Sequence, residues 1–159
     1  MPARETPTVR AAYVDGLKLL ARRELSEAQV RERLARREHD ADAIDAAVAR
    51  LLEEHAIDDR RTAEANARTE SSVRRRGKLR VRRRSESAGI AGAVARRAVD
   101  DVFADIDPDA LLEASLAKRL RGRSEVAGDA EFRRLYRYLG GQGFEPDRAL
   151  KALKARSLK

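Results

Sequence analysis

Hydrophobic residues along the chain recur at intervals of three and four, which is the spacing of amphipathic helices, and no segment alternates as a β-strand does. Near the start, Val14, Leu17 and Leu20 or Ala21 form one stripe. Eight segments in all carry such stripes, which we expect to face a core: after the first come Val30 and Leu34; Ile44, Val48, Leu51 and Leu52; Ala63, Ala67 and Val73; Val94, Ala98 and Val102; Leu111, Leu112, Leu116 and Leu120; Phe132, Leu135 and Leu139; Ala149, Leu150 and Leu153. The pattern predicts an all-α protein.

Capping residues indicate where several of these helices begin. Ser26 followed by Gln29 is a capping box, in which the two residues satisfy each other's backbone N–H groups. Asp58 or Asp59 can cap the next unit, and Asp107 with Pro108 places an acceptor at the N-cap and proline at the first helical position. Neighbouring capping residues therefore predict where these helices begin.

The helical segments recur in three rounds. Spacings of 51 and 54 residues bring three sets of positions into register: Leu34, Ser85 and Leu139; Glu38, Gly89 and Gly143; His39, Ile90 and Phe144. We therefore predict a disordered tail at residues 1–10 and three three-helix repeats at 11–57, 58–106 and 107–159. Tandem repeats of this kind stack in an elongated, curved array.

Composition limits the size of the core and the class of protein. Alanine accounts for 29 of the 159 residues, and only 34 are Leu, Val, Ile or Phe, so each helical unit has a thin core. No cysteine is present, the first ten residues lack the apolar centre of a signal peptide, and no apolar stretch approaches the ~20 residues of a membrane span. We expect a soluble cytoplasmic protein with no membrane contact.

The ordered motifs of the chain resemble the RecX family, regulators of the bacterial RecA recombinase. The resemblance is carried by AY at 12–13, LLARRELSE at 19–27, LLEEHAIDD at 51–59, Gly77, Val81, AGI at 88–90 and GF at 143–144. It implies tandem three-helix repeats that bind in the groove of a RecA–DNA filament and inhibit its ATPase and strand exchange, with no catalytic residues and no cofactor. Thr62 stands where the family usually has an aromatic residue, and Ser85 where it has a large aliphatic one.

A basic run in the middle of the chain is the candidate binding site. Eight of the eleven residues from Arg74 to Arg84 are basic and none is acidic, so the run alone equals the net charge of +8. The predicted contact residues are Arg74, Arg75, Arg76, Lys78, Leu79, Arg80, Arg82, Arg83 and Arg84.

A helical projection of this run places Val81, Ser85 and Ala88 on a buried side. The opposite side then gathers Arg75, Arg76, Arg82 and Arg83 around an exposed Leu79, with no glutamate four residues away to compensate the charge.

Two ligands suit an uncompensated cationic surface: DNA phosphates or an acidic protein surface. With three Phe, three Tyr and no Trp, the chain has few aromatic rings for stacking on bases, which favours backbone contact over sequence recognition. The alternative is that the run is only a solvated helix face. The predicted partners are thus the RecA filament and the DNA backbone, bound by a monomer. A general DNA-binding module without a recombinase partner is the alternative function.

Other candidates for chemistry have structural explanations. His39, between two acids, is interpreted as a partly buried core residue in preference to a metal ligand, because it is in register with Ile90 and Phe144. Asp58 and Asp59 are interpreted as caps in preference to Mg²⁺ ligands. Tyr136 and Tyr138 cannot share a helix face, so one of them is available to a partner. No catalytic motif suggests an enzyme.

Overall fold

A computed structural model describes residues 6–157, and within that range the chain is all-α, as predicted. The helices are α1 (Pro7–Arg22), α2 (Glu27–Arg36), α3 (Ala41–Glu53), α4 (Asp59–Ser72), α5 (Lys78–Ser87), α6 (Gly92–Phe103), α7 (Pro108–Leu120), α8 (Gly128–Gln142) and α9 (Pro146–Arg156).

The predicted caps are present at three helix starts. The Ser26 Oγ accepts from the Gln29 N–H at 3.1 Å, and the Gln29 Oε1 accepts from the Ser26 N–H at 3.0 Å, which confirms the capping box. Asp58 accepts from the Arg61 N–H at 3.0 Å, and Asp107 caps α7 with Pro108 in its first turn. Local acceptors therefore set where α2, α4 and α7 begin.

The first helix starts earlier than predicted. Thr6 caps it and Pro7 opens it, so residues 7–10, which we predicted in a disordered tail, are helical, because a hydroxyl acceptor and a proline of preset φ favour a helix start there. Residues 1–5 of the predicted tail lie outside the described range.

The buried face of α1 also differs from the prediction. Ala12, Gly16 and Leu19 are buried, whereas Val14 is 39% exposed and Leu17 is 38% exposed. The reason is close packing of α1 on α3: a Cβ added to Gly16 would lie 2.7 Å from the Leu51 Cδ1. Small residues allow the two backbones to approach, and they carry no hydrophobic signal of their own.

Extensive helix packing occurs within consecutive triplets. α1 packs on α3 and α2, α4 packs on α6 and α5, and α8 packs on α9 with α7 against both. The buried side chains form separate small clusters in the same way, and those of the middle triplet are largely alanines with Val81, Val99 and Phe103. The repeat boundaries at 57/58 and 106/107 stay a prediction, with which this grouping agrees.

The repeat register is visible in the backbone. Glu38, Gly89 and Gly143 all have positive φ, at 63°, 81° and 95°. The N–H of the next residue bonds back to the carbonyl five residues earlier in each case: His39 to Leu34 at 3.3 Å, Ile90 to Ser85 at 3.3 Å and Phe144 to Leu139 at 3.2 Å. These are Schellman ends at equivalent places in α2, α5 and α8.

Neighbouring triplets meet end to end along their second helices. The Gly77 N–H donates to the Gln142 carbonyl at 2.8 Å and the Leu79 N–H to the Gly143 carbonyl at 3.1 Å, so the turn after α8 caps the start of α5. At the equivalent place one repeat earlier, the Ser26 Oγ donates to the Ala88 carbonyl, so the turn after α5 meets the start of α2. α8, α5 and α2 therefore follow one another in series.

The surface area fits an extended arrangement. The accessible surface is 10247 Å², whereas a compact monomer of 17.8 kDa exposes ~8,000 Å². Units that bury surface within triplets and meet only at narrow junctions leave more of the chain in water.

Candidate nucleic-acid interface

The basic run does not lie on one helix. Arg74, Arg75 and Arg76 form the turn between α4 and α5, and the remaining members from Lys78 to Arg84 lie on α5. Arg75 adopts a left-handed φ of 55°, which ends the α4 region before Gly77 caps α5. The projection that placed Arg75 and Arg76 beside Arg82 and Arg83 was therefore wrong.

The projection holds for α5 itself. Val81 and Ser85 are buried, and the Ser85 Oγ donates to the Val81 carbonyl at 3.2 Å, which satisfies the hydroxyl where the family usually has an aliphatic side chain. Leu79 is 37% exposed. Val73, which we expected in the core, is 69% exposed because it follows the end of α4.

Much of the run is paired with carboxylates, contrary to prediction. Glu70, only 3% exposed, lies within 3.3 Å of Arg74, 2.5 Å of Arg76 and 3.6 Å of Arg84. Such a carboxylate is stable in the interior because several guanidinium groups share it. Glu70 thus joins the turn to the far end of α5.

Two further members of the basic run also form ion pairs. Lys78 Nζ lies 2.7 Å from Asp100 on α6, and Arg82 Nε lies 3.3 Å from Glu86. Glu70 and Glu86 stand four residues from Arg74 and Arg82, so inspection beyond the two ends of the run would have found them. Asp100 could be found only through the packing of α5 on α6.

Three cations of the run have no carboxylate partner within residues 6–157. The Arg75 Nη1 contacts the Ala114 carbonyl at 3.5 Å, the Arg80 Nη1 donates to the Gly141 carbonyl at 3.0 Å, and Arg83 is exposed on α5. Arg75 and Arg80 both reach into the third triplet. The uncompensated charge is therefore concentrated at the junction between the second and third triplets and on the outer side of α5.

The third triplet adds cations that the sequence interpretation missed. Arg137 on α8 is exposed, has no carboxylate partner in the described part of the chain, and stands 54 residues from Arg83. Arg133, equivalent to Leu79, donates only to the Asp129 carbonyl, at 3.3 Å. The repeat spacing was the signal that could have identified both positions.

Charge is distributed unevenly along the array. Residues 11–57 hold eight basic and ten acidic side chains, residues 58–106 hold thirteen and eight, and residues 107–159 hold twelve and eight. The first unit is thus slightly acidic while the second and third are strongly basic. A polyanion is attracted to the second and third units.

The remaining candidates are structural. His39 is half-buried with its Nε2 2.8 Å from the Asp15 Oδ2, and this hydrogen bond, helped by Arg37, lowers the pKa of Asp15. The Asp59 Oδ1 accepts from the Glu27 N–H at 2.8 Å, which ties the second unit to the first. Among the residues described, no three His, Cys, Asp or Glu side chains form a group able to hold a metal ion.

Thr62 is buried and hydrogen-bonded at its unusual position. It is fully buried, and its Oγ lies 3.3 Å from both the Leu25 carbonyl and the Glu24 Oε2. A polar contact between the first and second units replaces an aromatic ring there.

The two tyrosines of α8 differ as predicted. Tyr138 is half-buried with the Arg119 guanidinium 5.0 Å from its ring centre, whereas Tyr136 is 37% exposed. Tyr136 borders an apolar surface depression with Phe132 and Leu150.

None of the helices between residues 6 and 157 has the length and apolar character needed to cross a membrane.

The sequence of this chain is similar to that of a known family of regulatory proteins. The family model described as RecX, first three-helix domain, matches residues 12–51. A regulatory protein RecX of Thermus thermophilus is 36% identical over 143 residues, which cover 89% of each chain. That of Syntrophotalea carbinolica is 31% identical over 134 residues, covering 84% of this chain and 88% of the relative. This chain belongs to the RecX family.

The fold agrees with solved structures. The crystal structure of RecX from Lactobacillus salivarius superposes with a TM-score of 0.71 at 18% identity, covering 93% of this chain and 96% of that one. A second crystal structure of a regulatory protein RecX gives a TM-score of 0.72 at 18% identity. Likeness at this identity demonstrates the shared helical-repeat fold.

Proposed function

We propose that this protein is a non-enzymatic regulator of a RecA recombinase that binds in the groove of the RecA–DNA filament and inhibits ATP hydrolysis and strand exchange. The observation that carries the proposal is the similarity to RecX regulatory proteins over 84–89% of the chain. Such a regulator must have different affinity for two states of the filament, since equal affinity shifts no equilibrium.

The contacts that support an anionic partner are the uncompensated cations of the second and third units. Arg75, Arg80 and Arg83 have no carboxylate within the described chain, and Arg137 repeats the position of Arg83. Guanidinium groups bind phosphate and carboxylate oxygens with charge-assisted hydrogen bonds. The members of the run with a close carboxylate are weaker candidates, because a ligand must displace Glu70, Glu86 or Asp100 from them; these are Arg74, Arg76, Lys78 and Arg82.

Charge reversal tests this assignment. We expect the double variant Arg75→Glu/Arg83→Glu to lose at least tenfold in inhibition of DNA-stimulated RecA ATPase. Within residues 6–157 neither side chain forms an ion pair, so helicity measured by circular dichroism should be unchanged.

The matched control is Arg96→Glu/Arg97→Glu on α6, which makes the same change of charge in the same unit at exposed positions. We expect the control to change inhibition by less than threefold. Equal losses in both double variants would contradict a localised site, and wild-type protein without effect on RecA would contradict the proposed function.

A general DNA-binding module is distinguished by its ligand preference. Affinity for bare single-stranded DNA and for RecA-coated DNA is measured at physiological salt. A regulator of the filament binds the coated strand more tightly. Equal affinity for the two would support the simpler module.

A further inference from the structure

A polar cleft lies at the junction between the first and second triplets, and its lining includes Arg84 of the basic run. Its volume is about 430 Å³, within the range of small-ligand sites. The turn between α1 and α2 forms one wall, and α4 and α5 form the other. The lining residues are Arg23, Glu24, Gln29, Ala65, Asn66, Thr69, Arg84, Ser87 and Ala88.

The cleft is rich in hydrogen-bond donors. Arg23 has no carboxylate partner within residues 6–157, and Arg84 has only a long 3.6 Å contact to the shared Glu70. Gln29 uses its Oε1 in the capping box, which leaves its amide N–H groups to donate. Asn66 and Thr69 contribute further neutral donors from α4.

The acidic side chain in the lining is already neutralised. The Glu24 Oε1 accepts from the Arg61 Nε at 2.9 Å, and the Glu24 Oε2 lies 3.3 Å from the Thr62 Oγ. Burial lowers the pKa of nearby Arg33, and Arg23 and Arg36 lower it further by like-charge repulsion. Arg23 therefore lies close enough to Arg33 for the two like charges to repel each other.

The walls of the cleft are fixed in place by contacts between the two units. The Ser26 Oγ donates to the Ala88 carbonyl at the floor, and the Asp59 Oδ1 accepts from the Glu27 N–H at 2.8 Å. A cleft that is already formed binds a ligand without the entropic cost of ordering its walls.

The second junction has cations in the turn that is equivalent to the turn of Arg23. A spacing of 51 residues equates Arg23 with Arg74 and Glu24 with Arg75, and the helix caps Asp58 and Asp107, 49 residues apart, equate Ala65 with Ala114. The contact of the Arg75 Nη1 with the Ala114 carbonyl at 3.5 Å shows that these residues do meet across that junction. The turn between the first two helices of a unit therefore carries an arginine at both junctions, whereas the position equivalent to Arg84 in the third unit is Tyr138.

We propose that the junction cleft containing Arg23 and Arg84 binds a phosphate group of a polynucleotide backbone. The oxyanion accepts from the two guanidinium groups, with Asn66 and Gln29 as neutral donors. This inference rests on the proposed function only for the identity of the polymer. It adds a phosphate contact in the first, slightly acidic unit, which net charge alone would not suggest.

The test uses the whole protein without RecA. Binding of a fluorescent single-stranded dT oligonucleotide is measured by anisotropy at several salt concentrations. We expect Arg23→Glu to weaken binding at least tenfold and to reduce the log–log salt slope by about one. Asn66→Ala, which leaves the net charge unchanged, should weaken binding about threefold or more.

Arg22→Glu is the control, since Arg22 is the exposed neighbour of Arg23 and does not line the cleft. A change below twofold is expected for it. If Arg22→Glu weakens binding as much as Arg23→Glu, or if neither does, the cleft is not the site. Pyrophosphate, titrated by calorimetry, is the second probe, and Arg23-dependent binding tighter than that of the oligonucleotide would overturn the polymer in favour of a free phosphate ligand.

The test of the phosphate site can be separated from the test of RecA inhibition. Wild-type protein that binds the oligonucleotide through Arg23 but leaves RecA ATPase unchanged would refute the proposed function and retain the phosphate site. If Arg23→Glu keeps both RecA inhibition and oligonucleotide binding, the phosphate site is refuted and the proposed function is retained.

Discussion

Glu38 has a left-handed backbone conformation, and the equivalent residues in the other two repeats are glycines. Its φ is 63°, while Gly89 and Gly143 have φ of 81° and 95° at the same end of their helices. The left-handed region costs an L-residue ~1 kcal/mol or more relative to glycine. Glu38 is exposed and forms no recorded ion pair within residues 6–157, so it gains nothing there to offset this strain.

Glu38→Gly is therefore expected to raise the free energy of unfolding by ~1 kcal/mol. Urea denaturation followed by circular dichroism measures the change. Glu38→Ala is the control, because it removes the carboxylate but keeps the Cβ and should show no comparable gain. Equal stabilisation by both variants would assign the effect to charge and contradict the backbone argument.

Glu131 has a pKa that its hydrogen-bond partners lower strongly in the folded protein. It accepts from Arg123 at 2.5 and 3.1 Å and from the Ala127 N–H at 2.6 Å, and these bonds, Arg123 first, lower its pKa from 4.5 to about 2. A lowered folded-state pKa stabilises the fold above the unfolded value, and this contribution is lost as the pH falls from about 4.5 to about 2.

We expect wild-type protein to lose more stability between about pH 5 and about pH 2 than Glu131→Gln does. Thermal unfolding across that range measures the difference. Glu125→Gln should follow the wild-type curve, because Glu125 is an exposed acid in the loop just before α8 and forms no ion pair within residues 6–157. Parallel curves for wild type and Glu131→Gln would contradict the assignment.

At the scale of elements, the end of α8 joins two units through backbone contact. A Cβ added to Gly143 would lie 2.8 Å from the Gly77 carbonyl oxygen and closer still to the Arg80 backbone nitrogen. Gly140, one turn earlier in the same helix, has open space around its Cα. The two glycines separate the effect of the junction from that of helix propensity.

Gly143→Ala is expected to destabilise the protein by more than ~2 kcal/mol, since left-handed strain and a backbone clash add together. Gly140→Ala should instead stabilise it by ~0.5–1 kcal/mol. Urea unfolding of both variants provides the measurement. A Gly143→Ala variant as stable as wild type would show that the backbone junction between α8 and α5 does not form.

The elements also show how far the sequence could be interpreted. Caps at Ser26, Asp58 and Asp107 are local, so helix starts were predictable from neighbouring residues. The buried face of α1 was not predictable, because Gly16 has no side chain and so allows α1 to approach Leu51 closely. Patterns of hydrophobic residues identify a helix more reliably than they identify its buried face when small residues form the contact.

For the whole molecule, triplets in series imply an elongated particle. A compact chain of 159 residues has a radius of gyration of ~15 Å. The excess accessible surface leads us to expect small-angle scattering to give a clearly larger value. A radius near ~15 Å in dilute solution would mean that the triplets fold back on one another.

The sequence by itself determined the helices, the starts of α2, α4 and α7 and the threefold register, because capping, propensity and left-handed helix ends depend on residues within one turn of each other. It also located the excess of positive charge, since the positions of Arg and Lys are given directly by the sequence. Only the tertiary structure decided which cations stay uncompensated: Asp100 reaches Lys78 from another helix, and Arg75 and Arg80 reach the third triplet. Ion pairs four residues apart, such as Arg74 with Glu70, follow from the order of residues, but a pair between helices, such as Lys78 with Asp100, forms only when the chain folds.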